Sequence, residues 1–292
     1  MKLFSGLHPI ALIVFFSAVI GISMFTMNPI LSITAIAGGL IFKFMLVRDL
    51  SFIKEILCYL IIGLVVTITN PIFSHNGKTV LFFVNDTPVT KESIIYGGCA
   101  ALMLISVLCW FSCFSYVITS DKIIYLFSGI APVLGLVISS SLKFVPAMKK
   151  KYHEIYSVQK NLINENSKNL SKLLLAVKSF SSLVTWAIEH TADTSSSMSS
   201  RGYGLKNRTS FNLFRFRFND CLIIFFDTAS FIYFIFMIRY ENINFIFYPE
   251  IIYPKKNIGY LIFCIIWLLI VSMPAFTEIK GEVKWKLLRS GI

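Results

Sequence analysis

Pro146-Ala-Met-Lys-Lys-Lys-Tyr-His-Glu-Ile-Tyr-Ser-Val-Gln-Lys160 opens a polar, basic stretch that runs to Arg217, and this stretch contains Met198-Ser-Ser-Arg-Gly-Tyr-Gly204. Long apolar runs stand on both sides of it. Membrane chains usually keep the links between spans short. A link this long, with helical apolar periodicity, reads as a working part on one side of a bilayer. The expected fold is therefore all-α: a polytopic membrane protein of about six transmembrane helices with a cytoplasmic pair of long helices.

Composition agrees. The chain has 292 residues, 56% of them hydrophobic and 14% charged, with a mean hydropathy of +0.74. Several apolar runs approach the roughly 20 residues a helix needs to cross the hydrocarbon layer. The short alternating segments of a lipid-facing barrel are absent. The net charge of +12 follows from basic residues gathering beside cytoplasmic faces, and no aromatic-basic platform points to nucleic acid. Cys58, Cys99, Cys109, Cys113, Cys221 and Cys264 lie in or at the ends of apolar runs, with no C-x-x-C pair. They read as small hydrophobes, not as zinc ligands or a disulfide framework.

Candidate spans are residues 8–26, 28–46, 56–73, 93–118, 219–239 and 257–275. Asn28-Pro29 marks the turn between the first two, because proline cannot continue a helix unbroken. The N-terminal run lacks a small-x-small cleavage site and reads as a retained span rather than a signal peptide. On this layout one face collects Lys2, Lys43, Arg48, Lys54, the basic residues from Lys122 to Arg217, and Lys280, Lys284, Lys286 and Arg289. The other face has Lys78, Lys91, Arg239, Lys255 and Lys256. Both termini and the central stretch are expected to be cytoplasmic. Residues 123–144 are apolar enough to span, but a crossing there would put the basic stretch outside. Gly129, Pro132 and Gly135 interrupt them, so the reading is a short helix, a break and a longer helix emerging at the cytoplasmic surface. The organisation is then N-terminal spans over 1–120, long cytoplasmic helices over 121–217, and C-terminal spans with a tail over 218–292. In the loop 74–92, turn residues around Thr79-Val-Leu-Phe-Phe-Val84 predict a small hairpin. Gly77-Lys78-Thr79 resembles the end of a phosphate loop, but Ile72 occupies the position that needs glycine, so no nucleotide site is read there.

From Leu134, apolar positions recur at 134, 138, 142, 145, 148, 152, 155, 158 and 162, the steps of one helical face. Pro146 should bend this helix. A second stripe runs Leu170, Leu174, Val177, Phe180, Val184, Ala187 and Thr191, after a turn at 164–169. That helix should close at Gly202 in the left-handed position. Neither amphipathic helix is stable alone in water. Their apolar faces must pack on each other, on the spans or on another protein. Arg201, in the last turn, either complements the helix dipole or docks in an acidic groove of a partner, where a planar guanidinium can pair twice with carboxylate.

Met198-Ser-Ser-Arg-Gly-Tyr-Gly204, continuing to Phe211 and an aromatic-basic stretch ending at Asp220, resembles the transmembrane T component of energy-coupling factor importers, the EcfT/CbiQ-like family. The family's pattern here is Ala-Met-x-Ala-Arg-Gly-Tyr, with Ser200 standing where the family has alanine. His8-Pro9, Asn28-Pro29, Leu142-Lys-Phe-Val-Pro146 and the tail Lys284-Trp-Lys-Leu-Leu-Arg-Ser-Gly-Ile292 are similar to further family features. The family usually carries two Ala-Arg-Gly motifs. At the first, this chain keeps Gln159 but has Lys160, then Asn161, Leu162 and Ile163 in place of Ala-Arg-Gly. The resemblance implies a coupling subunit of the bacterial cytoplasmic membrane. Two ABC ATPase subunits, which bind the ATP, would dock at Ser200, Arg201 and Gly202 and at the degenerate first motif. The long helices would pass their motion to a separate substrate-binding membrane S component that takes up a vitamin or metal ion. The chain itself would bind no cofactor and catalyse nothing.

Asp227 lies inside the span that starts near Asn219 and either marks an ion or substrate path or turns inward to a neighbouring hydroxyl. His8, His75, His153 and His190 are scattered, with no pair at metal spacing, and no nucleophile stands beside a base. The alternative reading is a self-contained permease or channel. It needs polar groups converging at mid-membrane, and Asp227 is the one candidate. An intramembrane enzyme would need paired catalytic groups at equal depth, which the sequence does not offer.

Overall fold

The computed structural model describes residues 4–47, 51–74, 77–84, 87–162, 170–203, 214–240, 245–254 and 257–290. Nine α-helices lie among them: α1 (Pro9–Phe25), α2 (Pro29–Leu46), α3 (Ser51–Phe73), α4 (Lys91–Val117), α5 (Ser120–Ile130), α6 (Pro132–Leu162), α7 (Leu170–Ser200), α8 (Phe218–Tyr240) and α9 (Ile258–Ser290). Strands β1 (Val80–Val84) and β2 (Thr87–Thr90) form one antiparallel hairpin between α3 and α4. The chain divides into two compact units, residues 1–122 with 214–292, and residues 123–213.

Five helices of the first unit, α2, α3, α4, α8 and α9, are long and apolar enough to cross a bilayer. Large apolar side chains such as Leu60, Leu64, Phe225 and Leu268 stand exposed on them, which in water would be an untenable surface. The molecule is an α-helical membrane protein. The sixth expected span corresponds to α1, whose 17 residues cover about 25 Å at ~1.5 Å per residue. The last helix does not stop near 275 as expected. It runs through Pro274 to Ser290, 33 residues in all, so the basic tail up to that point is helical.

Local sequence sets the first two helix starts. His8 and Asn28 are N-caps whose side chains accept the backbone N–H of Ile10 and Ile30, each with proline at the next position. Proline suits that position because its missing N–H is unpaired there anyway. Helix α2 is the packing axis. Trp110 of α4 donates its ring N–H to the Ala35 carbonyl (3.0 Å), and Trp267 of α9 donates to that of Leu31 (3.2 Å). The adjacent Gly38 and Gly39 permit both approaches. A Cβ at Gly38 would collide with Val271 of α9, and one at Gly39 would lie 2.9 Å from Cys109 Sγ of α4. Phe4, Phe15, Phe16, Phe42 and Trp110 then fill the space between helices, mostly edge to face.

The second unit begins where 123–144 was read as helix, break and helix. The break falls at Ala131, between α5 and α6. Helix α6 continues through Pro146. The expected turn over 164–169 lies outside the described residues.

Candidate functional site

Helices α6 and α7 pack side by side, antiparallel. Near the connected end, Ser179 Oγ donates to Gln159 Oε1 (2.9 Å) and Gln159 Nε2 donates to Ser182 Oγ (3.1 Å). Further along, Phe144 lies parallel to Trp186, with ring centroids 6.0 Å apart, and His190 closes on both rings at 5.4 and 4.9 Å. Beyond the rings the helices part into a cleft of about 700 Å³, whose lining includes Ser140, Lys143, Thr194, Met198 and Tyr203.

The stripe that predicts α7 is not the face that α6 covers. Leu175, Ser179 and Leu183 are buried, whereas Leu174, Val177 and Phe180 are 56%, 58% and 61% exposed. Over residues 132–162 and 173–203, the buried residues are Gly135, Leu175, Ser179 and Leu183. A pair of helices this long with so small an interior leaves most of its apolar surface uncovered.

The C-terminus of α7 closes as the sequence predicts. Gly202 has φ +75°. Gly202 N–H donates to the Ser199 carbonyl (3.0 Å), and Tyr203 N–H donates back to that of Met198 (3.1 Å). These two bonds are the Schellman closure. Arg201 is the cap residue before the left-handed glycine, exposed, and Ser200 is the last helical residue. No hydrogen bond or ion pair holds the Arg201 guanidinium among the described residues. Its geometry is a cation on a fixed backbone, free to pair.

The degenerate first motif is arranged differently. Gln159 faces α7, while Lys160, Asn161 and Leu162 are exposed at the end of α6, and Ile163 lies outside the described residues. Gln159 and Arg201 occupy opposite ends of the helix pair.

Asp227 lies on the inner face of α8 with Ile223, Ser230 and Phe234. Among the described residues its Oδ2 and the Ser230 hydroxyl are buried without a hydrogen-bond partner, as is the Ser23 hydroxyl on α1. Three polar centres went unread in the sequence. Lys43, counted above among the residues that orient the chain, is fully buried in the last turn of α2. It pairs with Glu55 of α3, donates to Ser112 of α4, and lies near the Tyr59 and Tyr116 rings. The signal was available: an acid opening the next helix opposite a base closing the previous one. Second, Asp220 accepts the N–H of Arg217 at the start of its own helix (2.8 Å) and that of His8 at the start of α1 (3.2 Å). Burial pulls the His8 imidazole below its ordinary pKa, and the Asp220 carboxylate draws it partway back. Third, Lys122 donates to the carbonyls of Ser5 (2.7 Å) and Val117 (2.8 Å), and burial lowers its pKa. No group of three or more potential metal ligands occurs among the described residues. A scan against models of known protein families finds no match to this chain, and a search of curated proteins finds none.

Proposed function

We propose that this chain is the membrane-embedded coupling subunit of an ATP-driven importer of the energy-coupling factor type. It would pass the movement of two ABC ATPase subunits to a separate substrate-binding membrane subunit. The observation that carries the reading is the end of α7: an exposed Arg201, unpaired among the described residues, set by a Schellman closure in a Ser-Arg-Gly-Tyr context. The uncovered Leu174–Val177–Phe180 stripe supports it further, because a lever must present an apolar face to whatever it moves. In this reading six helices span the bacterial cytoplasmic membrane, counting α1. Both termini and the α6–α7 pair are cytoplasmic, and Ser200, Arg201 and Gly202 form the docking tip. Gln159 ties the two levers together, and Lys160 to Ile163 give a weaker, mainly apolar grip on the second ATPase.

Affinity purification from native membranes tests the reading. Two nucleotide-binding subunits and a small membrane subunit should co-purify. Arg201→Ala should strip the ATPases, since truncating one partner of a docked charge pair costs about 2–5 kcal/mol. Unchanged ATPase recovery and uptake with Arg201→Ala would refute the docking role. Uptake by this chain alone in vesicles would favour a self-contained permease, in which buried Asp227 becomes the first residue to test.

A further inference from the structure

Strand β1 is apolar and exposed over residues 80–83, whereas Val89 and Thr90 of β2 are buried at the base of the hairpin. Val80, Leu81, Phe82 and Phe83 are 46%, 55%, 52% and 70% exposed. Neighbouring residues of a strand point to opposite faces, so a strand covered on one side should alternate between buried and exposed, and β1 does not.

Its base is fixed at the end of two membrane helices. Thr79 Oγ1 donates to the Glu92 carboxylate (2.9 and 3.0 Å), Lys91 N–H donates to the Thr79 carbonyl (3.0 Å), and the Thr90 hydroxyl caps α4 by accepting the Ser93 N–H (3.3 Å). Ser93 Oγ in turn donates to the Ser74 carbonyl (2.8 Å), just past the end of α3. Lys78 pairs with Glu250 (2.7 Å), joining the hairpin to the 245–254 loop. The hairpin therefore stands where the apolar surface of α3 ends. That surface leads straight into it, with Ile72 60% and Phe73 81% exposed.

We infer that the tip of β1 lies in the lipid boundary beside α3 and α4, with Phe82 and Phe83 as aromatic anchors among headgroups and upper acyl chains. Lipid, unlike a protein partner, wets both faces of a protruding strand at once. Phenylalanine is among the residues that interfacial segments bury at the boundary of headgroups and acyl chains, and the charged Lys78–Glu250 pair marks the wet side. The depth is limited. The outer edge of β1 carries backbone groups that need water or headgroup partners, so the strand does not enter the hydrocarbon core. A second copy adding a strand to that edge fits poorly, because the pairing register slips between Val80 and Phe82, and such an irregularity blunts an edge. The inference is independent of the coupling role and of which side of the membrane the hairpin occupies.

The test uses the full chain in phospholipid vesicles. Cys58, Cys221 and Cys264 are replaced by alanine so that only buried native thiols remain, and a nitroxide is attached at Phe83→Cys or, separately, at Phe82→Cys. Both labels should relax several-fold more with oxygen, which concentrates in lipid, than with a water-soluble nickel chelate. A label at Asp193→Cys, exposed on α7, gives the aqueous reference. A nickel-dominated response at both hairpin positions overturns the inference by placing the strand in water. Protection from both agents at either position overturns it by assigning that face to protein. If one variant fails to fold, the other carries the same test.

Discussion

The helix bundle and the α6–α7 pair use similar residues to opposite ends. In the bundle, aromatic rings and small residues interlock around α2, and polar ties such as Trp267 to Leu31 and Asp220 to His8 join helices far apart in sequence. In the α6–α7 pair one hydrogen-bonded glutamine and one ring stack join two long helices, and the Leu174–Val177–Phe180 stripe of α7 faces outward. The bundle has a continuous buried core; over residues 132–162 and 173–203 the pair buries only Gly135, Leu175, Ser179 and Leu183.

That contrast can be broken most directly in the bundle. Trp267→Ala removes a fully buried ring and its bond to Leu31, and should lower stability by about 3–5 kcal/mol, read as a reduced thermal midpoint in detergent or vesicles. Lys122→Met should follow. It deletes two hydrogen bonds from a charged donor, each worth about 1.5–3 kcal/mol and offset in part because a buried charge is removed as well, and a denaturant series on the purified chain would detect the loss. Gly202→Ala tests the end of α7. Forcing a side chain into the left-handed position should cost about 1–2 kcal/mol locally and show as faster amide exchange at Arg201 and Tyr203, with the bundle's melting unmoved.

The His8 node gives a pH dependence. Because burial lowers the folded-state pKa of His8, the unfolded chain takes up the proton first. Stability is full above the ordinary histidine pKa of about 6.5 and falls as pH drops through the folded value. Protonation also removes the ring acceptor that caps Ile10. Melting curves from pH 7.5 to 5 should show this decline, and His8→Asn should flatten it. The smallest effect sharpens the comparison most. Phe180→Ser, on the exposed stripe of α7, should change the stability of the isolated chain by no more than about 0.5 kcal/mol, yet weaken co-purification of partner subunits. A large loss of stability without partners would mean the stripe is already covered.

The legible parts were those governed by local chemistry. Spans α2, α4 and α8 start and end within about two residues of where the apolar runs do, because a helix in lipid must satisfy its own backbone. Asn28-Pro29 and Gly202 were legible because proline and glycine fix local geometry. Lys43 was misread because positive-inside counting treats every lysine near a helix end as solvent-facing, whereas a side chain in the last turn can fold back to an acid on the next helix. The reach of α9 was missed because its tail is too polar to resemble a span, although nothing in it forbids a helix.

Sequence alone determined that this chain lives in a membrane, where helices α2, α4 and α8 begin and end, and that a long basic helix pair ends in a glycine-closed arginine. Those properties depend on residues within a few turns of each other. Tertiary structure decided which face of α7 is spent on α6 and which is left open, that Lys43 turns inward, and that Asp220 serves two helix starts at once. Each of those outcomes depends on side chains brought together from distant parts of the chain, and periodicity along one helix carries no information about its neighbour.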